Sequence, residues 1–222
     1  MVRSSVGVLT IGQSPRTDVT PSIQSILGKE IVIIESGGLD SIADEKIGFI
    51  APEDDETTYI SKLRSGNSIK IGKSKLLPLL QKELKKLEEK VEVVIMLCTG
   101  DFPTLETGMP IIYPDKVLNN TVKAILPSGA LGLIIPLEEQ RDTLVEKWDH
   151  PNLQIITEVA SPYEESDVTG AAKSLKNQGA DLIVLDCMGY NELHKQKAIK
   201  GSNLPVILPR TLTARIAAEY LF

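Results

Sequence analysis

The two cysteines of this chain occupy the same local context, and this repeat constrains the fold more than any other feature. Cys98 and Cys187 each follow an apolar run and precede glycine by two positions, in segments 93–101 and 182–190. Such runs, bounded by a Gly turn, are typical of buried strands in a parallel sheet. Ligands of open α/β sheets bind at the carboxyl ends of strands, so the repeat predicts two thiols where chemistry is usually done.

Strand-like and helix-like segments alternate along the whole chain, which predicts βαβ units and parallel sheets. The expected strands are 6–11, 31–36, 93–97, 131–136, 153–158, 182–185 and 204–209, with 68–72 a short strand or hairpin. The expected helices are 23–27, 76–90, 115–126, 137–148, 167–179, 191–200 and 210–221. We interpret the chain as two similar α/β halves: 1–110, completed by the last strand and helix at 204–222, and 111–203.

Length, charge and composition limit the classes of protein to which this chain can belong. With 222 residues and a net charge of −6, the chain can bury a substantial core and lacks the basic surplus of a nucleic-acid-binding protein. No apolar run approaches the roughly 18 residues of a membrane span, and the first residues do not resemble a signal peptide. We therefore predict a cytoplasmic protein with reduced thiols, no nucleic-acid partner and no membrane partner.

The cysteines permit two interpretations. Buried Cys often acts as a small hydrophobic residue, so either could fill the core. Their matched positions favour catalysis instead: one thiolate removes a proton from a substrate carbon while the other thiol protonates the opposite face. Asp186 could orient a thiol or serve as a turn residue. Around the cysteines, we expect Thr99, Gly100, Asp101, Met188, Gly189 and Tyr190 to contact substrate, partly through backbone N–H groups.

A third candidate element is the turn at 12–18, which follows the first strand. Its arginine, Arg16, is suited to bidentate binding of a carboxylate, and Ser14 to hydrogen bonding with it. We also assign Gln13 to the expected substrate-binding set. Gly-Ser-Pro turns are common structural punctuation, so a purely structural role stays open.

Other chemistries have little support in the sequence. The two cysteines and two histidines form no close ligand pair, so we predict no metal site. Neither a dinucleotide-binding glycine motif, a Walker A motif nor a nucleophile elbow is present. We expect no cofactor.

Three segments carry a resemblance to a known family: 8–18, 185–190, and 205–208 with 214–219. They resemble the AroM family of small bacterial proteins, itself similar to the aspartate/glutamate/hydantoin racemase superfamily. This resemblance implies two pseudo-symmetric, flavodoxin-like parallel-sheet halves with one cysteine from each at the cleft between them. Met188 stands where that superfamily usually has Thr, and the turn at 12–16 also departs from its pattern.

These observations lead to one leading hypothesis and two alternatives. We expect a cofactor-independent isomerase of racemase type that acts on a small carboxylate or amino-acid-like molecule through Cys98 and Cys187. A lyase or decarboxylase that uses a single thiol is the first alternative, and a non-catalytic metabolite-binding protein is the second. The sequence leaves the substrate and the oligomeric state open, with a homodimer as one option.

Overall fold

The computed structural model describes residues 4–148 and 150–221, apart from the side chain of Asp44. The strands are β1 (Ser5–Thr10), β2 (Val32–Gly37), β3 (Thr58–Lys62), β4 (Ser68–Gly72), β5 (Val93–Leu97), β6 (Ile111–Ile112), β7 (Gly129–Ile135), β8 (Leu153–Val159), β9 (Leu182–Leu185) and β10 (Val206–Ile207). The helices are α1 (Thr20–Leu27), α2 (Lys73–Glu88), α3 (Pro114–Ile125), α4 (Arg141–Lys147), α5 (Val168–Asn177), α6 (Glu192–Ser202) and α7 (Pro209–Leu221). Short 3-10 helices cover Asp44–Ile50 and Glu138–Gln140.

The predicted α/β class with two parallel-sheet halves is confirmed. One sheet has the order β2-β1-β5-β6 and the other β10-β9-β7-β8, and every pairing within them is parallel. Counted within each sheet along the chain, both have the order 2-1-3-4, so the two halves share one topology. In each half, a cysteine follows the third strand, β5 or β9.

The chain divides into two compact units, and the division differs at its end from the sequence-based one. The first unit comprises residues up to Pro114 and those from Thr213 onward, and the second comprises Asp115–Leu212. The last strand was expected in the first half, but Val206 and Ile207 pair with Ile183 and Val184 of β9. Backbone pairing therefore places β10 in the second sheet, and only the later part of α7 is grouped with the first unit.

The central strands β1, β5, β7 and β9 are buried because they are apolar on both faces. In the first unit, α2 packs its leucine stripe against β1 and β5: Leu76, Leu80, Leu84 and Leu87 share a cluster with Leu9 and Met96. In the second unit, α5 and α6 cover one face of the sheet, and α3 and α4 cover the other. The two cysteine turns lie at the carboxyl ends of two of these central strands, β5 and β9.

A hairpin interrupts the repeat in the first unit. Strands β3 and β4 pair antiparallel, with Tyr59 opposite Ile71, and form a sheet of their own. The β4 segment was predicted as a short strand or hairpin, whereas β3 was not predicted, because the apolar pattern of Thr58–Lys62 is too short to indicate a strand. Among the helices of the described residues, none is long and apolar enough to cross a bilayer.

Candidate active site

Cys98 begins the turn that follows β5 in the first unit. Its side chain is partly buried, and the backbone N–H of Gly100 donates a hydrogen bond to its Sγ over 3.3 Å. Thr99 between them is buried. An N–H group directed at sulfur stabilises negative charge there, so the turn is suited to hold a thiolate.

Glycine is required at position 100 by a close approach from the hairpin. A Cβ on Gly100 would collide with the ring of Tyr59, which lies on β3. The Tyr59 hydroxyl donates to the carbonyl oxygen of Asp101 over 2.7 Å, and its ring stacks on Phe102 at a centroid distance of 4.7 Å. The Asp101 side chain is 69% exposed and lies 3.8 Å from the Lys73 ammonium. The β3–β4 hairpin thus braces the Cys98 turn.

Cys187 occupies the equivalent turn of the second unit and is more deeply buried, at 8% exposure. The Gly189 N–H donates to its Sγ over 3.4 Å, as Gly100 does in the first unit. A tyrosine again covers the glycine: a Cβ on Gly189 would lie 2.6 Å from the Tyr163 hydroxyl oxygen. That hydroxyl also lies 3.8 Å from the Cys187 Sγ, within hydrogen-bond range for sulfur. The cysteine, the glycine and the tyrosine therefore recur together in both units.

Hydrogen bonds made by two buried side chains, Arg210 and Tyr190, hold the remaining residues of the second turn in place. Arg210, at 1% exposure, donates to the carbonyl oxygens of Met188 and Gly189 over 2.8 Å each. The Tyr190 hydroxyl donates to the Ala160 carbonyl oxygen over 2.7 Å. Burial, followed by the nearby Cys187, raises the Tyr190 pKa well above its usual value, which keeps this hydroxyl neutral. The structure thus places the Met188 and Tyr190 side chains in the core, where they support the turn.

Asp186 anchors the second turn to α4. Its Oδ2 accepts hydrogen bonds from the Lys147 ammonium over 2.6 Å and from the Trp148 indole N–H over 2.7 Å. The ion pair is almost fully buried. Removal of either group would leave the other as an uncompensated buried charge, which is strongly unfavourable. The pair therefore fixes the local geometry. These contacts give Asp186 a structural role at the end of β9.

Arg16, predicted to bind a carboxylate, is already engaged inside the first unit. Its Nε and Nη2 donate to the two oxygens of Asp18 over 2.8 and 2.9 Å, and its Nη1 donates to Thr10 and Ser61 over 3.2 Å each. Its exposure is 3%. Burial by itself raises the Asp18 pKa, but the hydrogen bonds and charge of Arg16 outweigh it, so the pKa lies below its ordinary value. This bidentate pair holds the turn and uses the fork that a substrate carboxylate would need.

The neighbouring Ser14 is tied to Asp40, which follows β2. Its N–H and hydroxyl donate to the Asp40 carboxylate over 2.7 and 2.6 Å. Arg64, in the loop of the β3–β4 hairpin, donates from Nη2 to Asp40 over 2.6 Å and from Nε to the Ser14 carbonyl oxygen. The turn after β1, the end of β2 and the hairpin are therefore joined by one polar network.

A cavity of about 280 Å³ adjoins this network within the first unit. It is lined by Gln13, Ile47, Leu63, Arg64 and Ser65. Of these, only Gln13 was in the predicted set. Arg64 was not predicted, because a single arginine in a polar loop carries no motif. The neighbouring Ser65-Gly66-Asn67 segment is typical of a turn, but it carries no information about where the loop lies in space.

The described residues contain no group of three or more His, Cys, Asp or Glu side chains placed to hold a metal ion. His194 forms a capping box with Asn191 at the start of α6. Burial lowers its pKa, with a further contribution from Lys197 and Arg210.

Comparison with known proteins is consistent with this arrangement. A family model described as AroM protein matches residues 6–221, nearly the whole sequence. The chain belongs to the AroM family. Comparison of this AroM-family sequence with curated proteins gives no significant match.

Enzymes of several different kinds have solved structures with the same fold as this AroM-family chain. A glutamate racemase from Francisella tularensis subsp. tularensis SCHU S4, in complex with D-glutamate, has TM-score 0.62 and 15% identity, covering 99% of this chain and 81% of its own. The maleate isomerase of Pseudomonas putida S16 has TM-score 0.58 and 14% identity, covering 98% and 92%. An arylmalonate decarboxylase has TM-score 0.56 and 13% identity, covering 98% and 91%. At these identities the likeness shows the fold of the Asp/Glu racemase superfamily and leaves the reaction to be argued from the site.

Proposed function

We propose that this AroM-family protein is a cofactor-independent isomerase of racemase type, acting on a small carboxylate or amino-acid-like substrate. The observation that carries the proposal is the matched placement of the chain's only two cysteines. Each cysteine follows the third strand of one unit, and its Sγ accepts a hydrogen bond from the N–H of the glycine two residues later. In both turns a tyrosine side chain packs against that glycine. Two equivalent thiol turns are what proton transfer at two faces of one carbon requires.

In the proposed reaction, Cys98 and Cys187 act on opposite faces of the substrate α-carbon. One thiolate takes the α-proton and becomes a thiol, and the electron pair left on carbon delocalises into the carboxylate as an enediolate. The other thiol then gives its proton to the opposite face and becomes a thiolate. In this scheme the N–H groups of Gly100 and Gly189 stay on the two sulfurs, where they stabilise the cysteine that is the thiolate. The backbone N–H groups at positions 99 and 188 would stabilise the charge that develops on the carboxylate. The exchange conserves protons and electrons and needs no redox partner.

A substrate panel in D₂O tests this proposal. Glutamate, aspartate and their enantiomers are incubated with the wild type, Cys98→Ser and Cys187→Ser, and are followed by chiral chromatography and by loss of the α-proton signal in NMR. Two-base racemisation labels the α-carbon as it inverts, and each serine variant abolishes inversion because serine is far less acidic than a thiol. Full rate in both directions in either single variant would contradict the two-base scheme.

A one-thiol decarboxylase is the second candidate, and the unequal surroundings of the two thiols favour it. The Tyr163 hydroxyl lies 3.8 Å from the Cys187 Sγ, whereas the Tyr59 hydroxyl donates to the Asp101 backbone. An enzyme with a single working thiol needs only one such partner. Release of CO₂ from a malonate derivative, lost in one cysteine variant and retained in the other, would select this reaction over racemisation.

A further inference from the structure

The cavity bordered by the loop of the β3–β4 hairpin has the composition of a binding site for a small anion. Among the described residues its lining contains one cation, one amide and one hydroxyl, together with the apolar walls Ile47 and Leu63. None of these lining residues carries a carboxylate, and Asp40, outside the lining, lies 2.6 Å from the Arg64 Nη2. Its volume of about 280 Å³ is near the lower end of ordinary ligand pockets, about 300–1,000 Å³. A molecule of a few heavy atoms therefore suits it better than a nucleotide.

Gln13 supplies the observation that points to a ligand. It is only 4% exposed, and its Oε1 accepts the Arg64 backbone N–H over 2.9 Å. This bond orients the amide, since the oxygen must face the donor. The amide nitrogen Nε2 then forms no hydrogen bond with any residue in 4–148 or 150–221, although the side chain lines the cavity. An N–H₂ group that lines a cavity and has no partner among these residues can donate to a ligand or a water there.

Arg64 supplies a cation that is also ion-paired with Asp40. Its Nε donates to the Ser14 carbonyl oxygen and its Nη2 to Asp40, which fixes the plane of the guanidinium. Within the part of the chain that the structure describes, its Nη1 has no hydrogen-bond partner. The side chain is 49% exposed and lines the cavity. A pre-oriented guanidinium with an unused donor binds an oxyanion at low entropic cost.

We propose that this cavity binds a carboxylate group of a small organic anion through Gln13 Nε2 and Arg64 Nη1. Arg64 then takes the part that the sequence suggested for Arg16. Both arginines are ion-paired, but Nε, Nη1 and Nη2 of Arg16 all donate within the first unit, whereas Arg64 keeps Nη1 for a ligand. Identification of this anion with the substrate rests on the proposed function, because the cavity adjoins the turn after β1. Binding itself does not depend on turnover.

Calorimetric titration of the full chain with acetate, succinate and glutamate tests the proposal, with neutral succinamide as the uncharged comparison. We expect the wild type to bind at least one carboxylate and to ignore succinamide. Arg64→Gln removes the charge, and Gln13→Glu places a like charge in the cavity without changing its size. Each should weaken binding about tenfold or more, the range for loss of a charge-assisted hydrogen bond.

Lys70→Gln is the matched control, since it removes one positive charge from the same hairpin without altering the cavity lining. It should change affinity less than about twofold, as expected for an exposed charge. If Arg64→Gln fails to fold, Gln13→Glu and Arg64→Lys, which keeps the charge but not the planar fork, provide the comparison. Equal losses in Lys70→Gln and the cavity variants would overturn the proposal, as would wild-type affinities weaker than about 10 mM for all three anions.

The same variants separate this inference from the proposed function. Carboxylate binding that depends on Gln13 and Arg64, without turnover of any substrate, would refute the isomerase and retain the cavity. Cysteine-dependent turnover with unchanged kcat/KM in Arg64→Gln and Gln13→Glu would retain the isomerase and refute the cavity as its substrate site.

Discussion

The Asp40 carboxylate accepts hydrogen bonds from both the N–H and the hydroxyl of Ser14, over 2.7 and 2.6 Å. It accepts two more, from the Gly37 N–H over 2.8 Å and from Arg64 Nη2 over 2.6 Å. One side chain therefore receives donors from the turn after β1, the end of β2 and the hairpin loop. This single carboxylate therefore joins three segments of the first unit.

We expect Asp40→Asn to destabilise the protein by about 1–3 kcal/mol, because the amide N–H₂ would face donors instead of accepting from them. Urea unfolding followed by circular dichroism measures the change. Asp54→Asn, at an exposed turn position, is the control and should stay within about 0.5 kcal/mol of the wild type. Equal stability of the two variants would mean that the Asp40 network contributes nothing to the fold.

Substitution of the glycine in the second cysteine turn tests the contact with tyrosine. The Cβ of Gly189→Ala would lie 2.6 Å from the Tyr163 hydroxyl oxygen, so the ring or the turn must move. We expect a loss of about 1–3 kcal/mol, in the range for overpacking, measured by denaturant unfolding. Gly108→Ala, which meets no atom within 4 Å, should be neutral or slightly stabilising. An unchanged free energy of unfolding in Gly189→Ala would contradict the close contact between this glycine and Tyr163.

Alkylation rates distinguish reactive thiols from core filling. If the cysteines serve catalysis, iodoacetamide near pH 7 should modify at least one of them faster than a cysteine in the urea-unfolded chain, and a bound carboxylate should protect it. Peptide mass spectrometry reads Cys98 and Cys187 separately. Inert thiols, unaffected by any ligand, would favour the structural interpretation.

The Tyr163 hydroxyl should influence Cys187 alone. Tyr163→Phe removes the group that lies 3.8 Å from Sγ, and with it a donor able to stabilise the thiolate. We expect Cys187 alkylation to slow several-fold while the Cys98 rate is unchanged. Tyr59→Phe is the matched control, since its hydroxyl donates to the Asp101 backbone. Similar slowing of Cys187 in both variants would argue for a general loosening rather than a specific contact.

Acid stability should report on the Arg16–Asp18 pair. Burial raises the Asp18 pKa, but Arg16 more than offsets this and the folded pKa is depressed below the ordinary value of 3.8. A depressed pKa contributes stability above the unfolded value of about 3.9, and this contribution is lost as pH falls through the folded value. Asp18→Asn should therefore lower the free energy of unfolding at neutral pH and flatten its decline between about pH 5 and pH 2.

Unfolding in urea at a series of pH values measures that slope. Glu165→Gln, at an exposed position, serves as the control and should retain the wild-type decline. A wild-type acid slope in Asp18→Asn would show that the pair does not titrate with folding.

The alternating apolar runs were sufficient to predict the α/β class, both parallel sheets and the location of each cysteine after a strand. These features follow from local periodicity, which a single sequence carries in full. The repeated Cys-x-Gly pattern also indicated that the two halves are equivalent, and the shared 2-1-3-4 strand order is its structural counterpart.

Only the tertiary structure decided which side chains surround those turns. Tyr59 and Tyr163 reach their glycines from segments 41 and 26 residues earlier in the chain, and Arg64 reaches Ser14 across 50 residues. No short motif encodes such contacts, because their partners are brought together by sheet pairing and by the hairpin. Arg16 had the residue type and position expected of an anion ligand, yet Asp18, two residues away, occupies its guanidinium. The thiol turns thus follow from the sequence pattern, whereas the side chains that surround them and the partner of each arginine are decided by the folded structure.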